Sequence, residues 1–304
     1  MRMFILGSYV NAHCMLVERL PLQGESLCAV DLMHEHGGKG LNVAVGLHRL
    51  GVQVNTLLAI GRDDAANALM QLLHEENMDT RIVFSVDTHS GFGVGFIAAN
   101  GDNCLAVYPG ANALMDAALV MRAVDYLTMA DMVYAQFEIP ESPILVAFRH
   151  ARSLGIRTFL NPSPWRACSQ ELWALTDVLV VNAAEADCLF AITDNVPLSS
   201  TAWTAALPYF AERCHWRGEL LVITLAEQGC VALAAGKVIH VPAVAITAVD
   251  ATGAGDAFNA GLAAALMGKK ELVEALTLAC ACGAWVAARV GVLQALPTHA
   301  DIFA

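Results

Sequence analysis

Basic residues are scarce in this chain. Lys and Arg together number 17 of 304 residues, against 29 Asp and Glu, for a formal net charge of −12. That balance excludes a protein that wraps nucleic acid or docks on anionic lipid, because both partners require a basic surface. Charge of either sign is sparse too, at 15% against 57% apolar residues, the reverse of the balance that keeps a chain disordered. No apolar run reaches the ~20 residues that a membrane-spanning helix needs. The best candidate, 275–288 between Glu274 and Arg289, is shorter and reads as a buried core helix. The nine cysteines are odd in number and contain no C-x-x-C pair. They argue against a disulfide framework and for reduced thiols in a cytoplasmic protein. The opening Met1-Arg2-Met3-Phe4-Ile5-Leu6-Gly7-Ser8 has too short an apolar run for a signal peptide and reads as a first strand. Repeats, low-complexity tracts and linkers are also missing, so one large domain over 1–304 is expected rather than two.

Short apolar runs rich in β-formers, at 4–7, 54–60, 132–137, 157–160, 178–181 and 220–225, alternate with stretches of helical spacing at 41–50, 65–76, 115–127, 143–154, 201–216 and 259–267. This alternation predicts an α/β fold with a mostly parallel central sheet and helices on both faces. Strands buried on both faces also explain continuous apolar runs. Two segments break the rhythm. Residues 16–35 and 88–107 have no helical period and carry turn signals at 21–24 and 100–103. They predict a small β-sheet lid, formed by insertions at about 12–36 and 88–109. Its strands are apolar on both faces, so one face would cover the core and the other a second copy, giving a homodimer through the lid. Ligands of open α/β sheets bind beyond the carboxyl ends of the strands, which directs attention to the loops at 7–13, 37–42, 61–64, 136–138, 161–164, 182–185 and 250–258.

The sharpest of these is Asp250-Ala251-Thr252-Gly253-Ala254-Gly255-Asp256-Ala257-Phe258, just ahead of a helix. Small residues at 253–255 leave backbone N–H groups open at a helix start, where the dipole favours an anion such as a transferring phosphoryl group. A carboxylate at Asp256 can take the proton of an attacking hydroxyl. A capped helix start with a glycine turn would look similar over any three of these residues. Gly37-Gly38-Lys39-Gly40-Leu41-Asn42 is the second segment. Its glycines allow close backbone approach, and Asn42 offers a donor and an acceptor to a hydroxylated ligand. It is not a Walker A loop, since no Ser or Thr follows the Lys.

With these two segments in this order, nearly the whole chain resembles the ribokinase-like, or PfkB, family of carbohydrate kinases. Gly61-Arg62-Asp63-Asp64, Gly110-Ala111-Asn112, Asn161-Pro162-Ser163-Pro164 and Asn182-Ala183-Ala184-Glu185 match lesser elements between the two signatures. The resemblance implies transfer of the γ-phosphate of ATP to a primary sugar hydroxyl, with Asp256 as base and Gly253, Ala254 and Gly255 as anion hole. It implies Asn182 and Thr224 at the nucleotide phosphates, Gly229 in the nucleotide loop, and Mg2+ held through water by Glu185. Gly38, Lys39, Asn42 and Glu138 would line the sugar pocket. Asp250, with carbonyls near Thr252, Arg289 and Gly291, would resemble the family's monovalent-cation site, where K+ binds.

Three departures stand out. The family's sugar-binding Asp after the first strand aligns with Ala12, leaving the adjacent His13 as its replacement. Ala226 stands in the nucleotide loop where Gly is usual. Gln294-Ala295 replaces Pro-Ser near the cation site. Arg19 is the only Lys or Arg in 9–38, and none occurs in 89–112, which favours a neutral acceptor, because a phosphorylated one needs cationic partners. A nucleoside kinase of the same fold is the alternative, with Tyr9, Phe92, Phe96 and Tyr108 as rings for a base; a non-catalytic sugar or nucleotide sensor is another. A nicotinamide enzyme is excluded by the missing G-x-G-x-x-G after the first strand. His34-x-His36 lacks an evident third metal ligand, and Gly91-x-Gly93-x-Gly95 fits strand glycines better than a nucleotide loop.

Overall fold

In the first strand, Met3 and Ile5 belong to one buried cluster, and Phe4 and Leu6 to another on the opposite side. Side chains alternate along a strand, so a strand apolar at every position must be covered twice. The computed structural model of the chain, which describes residues 1–100, 103–192 and 199–303, shows how. The strands are β1 (Arg2–Leu6), β2 (Val10–Val17), β3 (Asp31–Gly37), β4 (Gln53–Ile60), β5 (Val83–Ser85), β6 (Gly91–Ala98), β7 (Asn103–Tyr108), β8 (Met132–Gln136), β9 (Arg157–Asn161), β10 (Val178–Asn182), β11 (Leu220–Thr224), β12 (Cys230–Ala234) and β13 (Lys237–Val241). They form a nine-stranded sheet, ordered β13-β12-β11-β10-β9-β8-β1-β4-β5, and a four-stranded sheet, β3-β2-β6-β7. From β5 to β11 the large sheet is parallel; β12 and β13 close it as an antiparallel edge. The chain order reverses between β1 and β8, and that reversal opens a crevice at their carboxyl ends.

The four-stranded sheet is the expected lid, with corrected limits. The first strand is followed by three residues and not by a long loop, since β2 starts at Val10. Residues 18–30 are irregular rather than extended, because Glu25 folds back to accept from the Leu22 N–H at 2.9 Å and pairs with Arg19. The turn expected at 100–103 includes 101 and 102, which lie outside the described residues. The single helix expected over 115–127 starts at the Asp116 side chain, which caps the Leu119 N–H, and is broken at Ala123 into Ala117–Arg122 and Val124–Thr128. The β12–β13 hairpin went unanticipated. Its turn is Ala235-Gly236, both at positive φ, a geometry usually signalled by Asn-Gly.

The apolar segment near 275–288 is helix Leu272–Ala287, packed along helix Ala254–Met267. Gly261 permits that contact, since a Cβ there would sit 2.8 Å from Cys282 Sγ. No described helix is long and apolar enough to cross a membrane.

Candidate active site

Helices Lys39–Arg49 and Ala254–Met267 carry the two signatures, and they cross with small residues at the contact. A Cβ on Gly46 would lie 3.0 Å from Ala260 Cβ. This close crossing brings the first turns of both helices to one point, and Asn42 Nδ2 donates to Asp256 Oδ2 at 2.7 Å. Two helix N-termini therefore direct their positive ends at the same place. Asp256 is 6% exposed. Burial pushes its carboxyl above the usual range; the Lys39 ammonium and the Asn42 hydrogen bond pull it back, while Glu138 and Glu185 push it up again. Asp256, ahead of Glu138 and Glu185, holds Lys39 protonated against its own burial.

The helix start itself is a backbone device. Gly253 caps it with φ 78°, and a Cβ there would also strike Val292 Cγ1 at 2.5 Å. Gly255 faces open space, with nothing within 4 Å of where a Cβ would be. The Ala254 N–H donates to Ala251 O at 3.2 Å, inside the turn. The amides left without an acceptor among the described residues at this helix start are those of Gly253, Gly255 and Asp256.

The other wall comes from the β1–β8 crevice. Ser8 Oγ donates to Glu138 Oε2 at 2.6 Å and accepts from Gln136 Nε2 at 2.9 Å and from the Gly40 N–H at 3.1 Å. Glu138 Oε2 also accepts from the Lys39 N–H at 2.8 Å. Glu138 is thus fixed against the start of the Lys39 helix. Gly40 fits only because it lacks a side chain: its Cβ would lie 2.3 Å from Gly7 Cα. Gly38, with φ 103°, would collide with Ser8 O at 2.7 Å.

Between these walls lies a cavity of about 70 Å³, lined among others by Lys39, Asn182, Glu185, Thr224, Gly255 and Asp256. Asn161 and Ser163, from the lesser element at 161–164, line it too, as does Asn259; the sequence assigned no role to these three, nor to Ser8 and Gln136. Asn259 had a readable signal, since it follows Asp256 by three positions and so shares its helix face. A larger surface hollow beside Arg62 and Asp63 contains none of the signature residues.

The family model described as pfkB family carbohydrate kinase matches residues 3–299. The chain belongs to the pfkB family of carbohydrate kinases. It is 30% identical over 299 residues to a ribokinase of Bacillus subtilis, covering 98% of this chain and 97% of the relative. A deoxyribokinase of Salmonella typhi is 28% identical, over 84% of this chain and 82% of the relative. A ribokinase of Arabidopsis thaliana, solved with ribose and ATP, superposes with a TM-score of 0.87 at 23% identity, covering 99% of this chain and 97% of that one. As a pfkB-family member the protein is an ATP-dependent sugar kinase, a phosphotransferase with an alcohol group as acceptor.

The kinase's remaining expected residues fall into place unequally. Asn182 and Glu185 form a capping box: Asn182 Oδ1 accepts from the Glu185 N–H at 2.8 Å, and Glu185 Oε2 from the Asn182 N–H at 2.9 Å. Glu185 Oε1 keeps its acceptor capacity. The cavity's oxygen donors, without imidazole or thiolate, fit Mg2+, which retains waters and takes few protein ligands. Thr224 ends β11 beside Asn182. Gly229, at φ 87°, has no room for a Cβ, which would lie 2.0 Å from Val241 O. Ala226 does adopt positive φ, 49°, so the loop holds an L-residue in the left-handed region that Gly would occupy without strain. Asp250 Oδ1 accepts from the Thr252 N–H at 2.9 Å, an internal turn contact. Among the described residues no three His, Cys, Asp or Glu side chains gather into a metal cage.

His13 is not brought to this pocket. Residues that pair across strands share a face, and His13 pairs with His34, next to the Asn11–His36 and Asn11–Phe92 pairs. The His13 ring lies 4.5 Å from that of His34 and 5.1 Å from that of Phe92. The opposite lid face, with Ala12, Cys14 and Glu35, turns to the signature loop: Glu35 Oε2 accepts from the Val292 N–H at 3.3 Å, and Val292 abuts Gly253. His36 accompanies Tyr9, whose hydroxyl contacts His36 Nδ1 at 2.9 Å and donates to Ala65 O at 3.0 Å. Burial, then the neighbouring His34, lowers the pKa of His13 and of His36, so neither supplies a standing charge.

Proposed function

We propose that this kinase phosphorylates a primary hydroxyl of a neutral, non-phosphorylated sugar, ribose-like or a ketose, and that residues 1–304 form one catalytic domain with an inserted lid. The observation that carries the reading is the Asp256 carboxylate. It is buried, raised in pKa and hydrogen-bonded to Asn42, at a helix start whose amides are open.

In this reading the acceptor hydroxyl lies between Asp256 and the γ-phosphate. Asp256 takes the hydroxyl proton as the oxygen attacks phosphorus, and burial makes it a better base than a solvated carboxylate. The Gly253, Gly255 and Asp256 amides receive charge that develops on the phosphoryl oxygens, and the Lys39 ammonium adds a fixed positive charge. Phosphoryl transfer needs little beyond such positioning and charge stabilisation. Asn182, Thr224 and Gly229 are assigned to the nucleotide, and Gly38, Lys39, Asn42 and Glu138 to the sugar. Glu185 would hold Mg2+ through water, and bound Mg2+ would neutralise phosphate charge. Asp250 with neighbouring carbonyls is the candidate K+ site.

Acceptor neutrality rests on charge. Arg19 is exposed and paired with Glu25, and Lys39 already faces three carboxylates, so neither cation of these loops is spare for a second phosphate. A nucleoside acceptor would need a stacking ring. Phe92, Phe96 and Tyr108 lie on the His13 face of the lid, and Tyr9 is fully buried. That face exposes Leu32, Phe92 and Tyr108, which supports a homodimer through the lid, and the unpaired cysteines fit a cytoplasmic protein. The test is ADP release from the purified enzyme with ATP, Mg2+ and a panel of sugars, sugar phosphates and nucleosides. Turnover highest on D-ribose, 2-deoxy-D-ribose or D-fructose is the expected result; clear preference for fructose 6-phosphate or tagatose 6-phosphate overturns the reading.

A further inference from the structure

On the inner face of the lid, Asp31 is exposed at the strand end, but Glu35 is a half-buried charged side chain that the chemistry above does not use. A single cross-strand row reads Glu35, Ala12, Gly93 and Val107 over β3, β2, β6 and β7. Glu35 is half-buried, and the Val292 N–H is its one hydrogen-bond donor among the described residues, at 3.3 Å. No described Lys, Arg or His forms an ion pair with it. The charged group that it feels is another carboxylate, Asp250, which adds to burial in raising its pKa. A carboxyl group has about four acceptor positions, and leaving them without donors in a half-buried place is unfavourable. Beside Glu35 the row is small-sided: Ala12 projects only a methyl group, and at Gly93 a Cβ would already meet Val10 Cγ1 at 3.2 Å.

The row also points the right way. Glu35 Oε1 lies 2.7 Å from where a Cβ on Gly291 would be, and the next residue, Val292, touches the Gly253 cap of the Asp256 helix. A ligand group that reaches Glu35 is therefore held between the lid and the helix start that carries Asp256. It must bring hydrogen-bond donors without negative charge, and hydroxyl groups are such donors.

We propose that Glu35 is the lid's acceptor-binding carboxylate, receiving hydrogen bonds from hydroxyls of a sugar seated against the small side chain of Ala12. The assignment rests on the sugar-kinase reading and deepens it. Acceptor choice would be set by a β3 carboxylate reaching across the Ala12–Glu35 pair, and an acceptor phosphate would be repelled there.

The test uses the full-length enzyme with D-ribose, 2-deoxy-D-ribose and D-fructose, varying sugar and ATP separately. Glu35→Ala is expected to raise the KM for the turned-over sugar at least tenfold, with less than a twofold change in the KM for ATP. The double variant Ala12→Asp/Glu35→Ala is expected to recover most of that loss, because the carboxylate returns to the same row from the adjacent strand. Melting curves establish that both variants fold. An unchanged sugar KM in Glu35→Ala overturns the proposal. So does a joint rise of both KM values with no recovery in the double variant, which would make Glu35 a structural latch on Val292. If the wild type turns over none of the three sugars, calorimetric binding separates the two ideas. Sugar binding that weakens in Glu35→Ala upholds the Glu35 site without the kinase step, and no sugar binding by the wild type overturns both.

Discussion

At the end of the pocket built by the two signature helix starts, backbone atoms come together where side chains do not fit; at the lid the decisive groups are side chains, placed by strand register. Gly38, Gly40 and Gly253 each exclude a Cβ by contacts of 2.7 Å or less, so few sequences can build that end. On the inner row of the lid a Cβ at Gly93 would meet Val10 Cγ1 at 3.2 Å, a contact that small adjustments relieve. The difference teaches where each part of function is recorded. On the function proposed above, reaction type lies in the constrained backbone end and acceptor choice in the lid, where the inner row tolerates change.

The strongest challenge to that division is Asp256→Asn. Turnover measured by ADP release is expected to fall by ~10³-fold or more, with ATP binding retained; near-normal rates would remove Asp256 from its role. The same variant should melt higher than wild type at neutral pH. The folded carboxyl has a raised pKa, so its ionised form is a burden above that value, and the gain disappears as pH falls below the ordinary carboxylate range.

Gly253→Ala comes next, with a kcat loss of roughly 100-fold and destabilisation of about 2 kcal/mol or more from positive φ and the Val292 contact. Gly255→Ala is the control. It meets no neighbour and suits a helix, so it should melt no lower than wild type, and any loss of rate comes from filling the phosphoryl space. Equal destabilisation of the two would contradict a backbone-built site.

Lys39→Met should cost about 10-fold in kcat/KM. It should also move the acidic limb of the kcat/KM profile to higher pH, because the Lys39 charge lowers the Asp256 pKa. A limb that stays in place would show that Asp256 is not the titrating base.

On the lid, Leu32→Lys should lower the mass seen by analytical ultracentrifugation to that of a monomer while changing kcat less than about threefold. An unaltered mass would separate the lid from assembly. The smallest effect is Ala226→Gly, expected to stabilise by roughly 0.5 kcal/mol, as relief of left-handed strain exceeds the added chain entropy, read as a slight rise in Tm.

The alternating apolar runs made the parallel sheet legible because double-faced burial leaves its mark on every strand residue. The two signatures were legible because helix starts with small residues and a carboxylate are local constructions. Other features were not. The break at Ala123 falls within a continuing apolar period with no Gly or Pro to mark it, and the Ala235-Gly236 turn puts Ala at positive φ where Asn would have signalled it. His13 was placed by adjacency in sequence, yet strand alternation turns it to the face opposite Ala12. Ser8 and Gln136 became visible only through the 130-residue span that separates Ser8 from Glu138.

By itself, then, the sequence determined the fold class and the helix start that sets Gly253, Gly255 and Asp256 together, since each follows from residues within one turn or one strand. The tertiary structure decided which side chains meet. Asn42 reaches Asp256 across 214 residues because Gly46 and Ala260 let two helices close. Glu35, and not His13, faces the signature loop because register and pleat, which no linear spacing encodes, choose the side of the lid on which each residue falls.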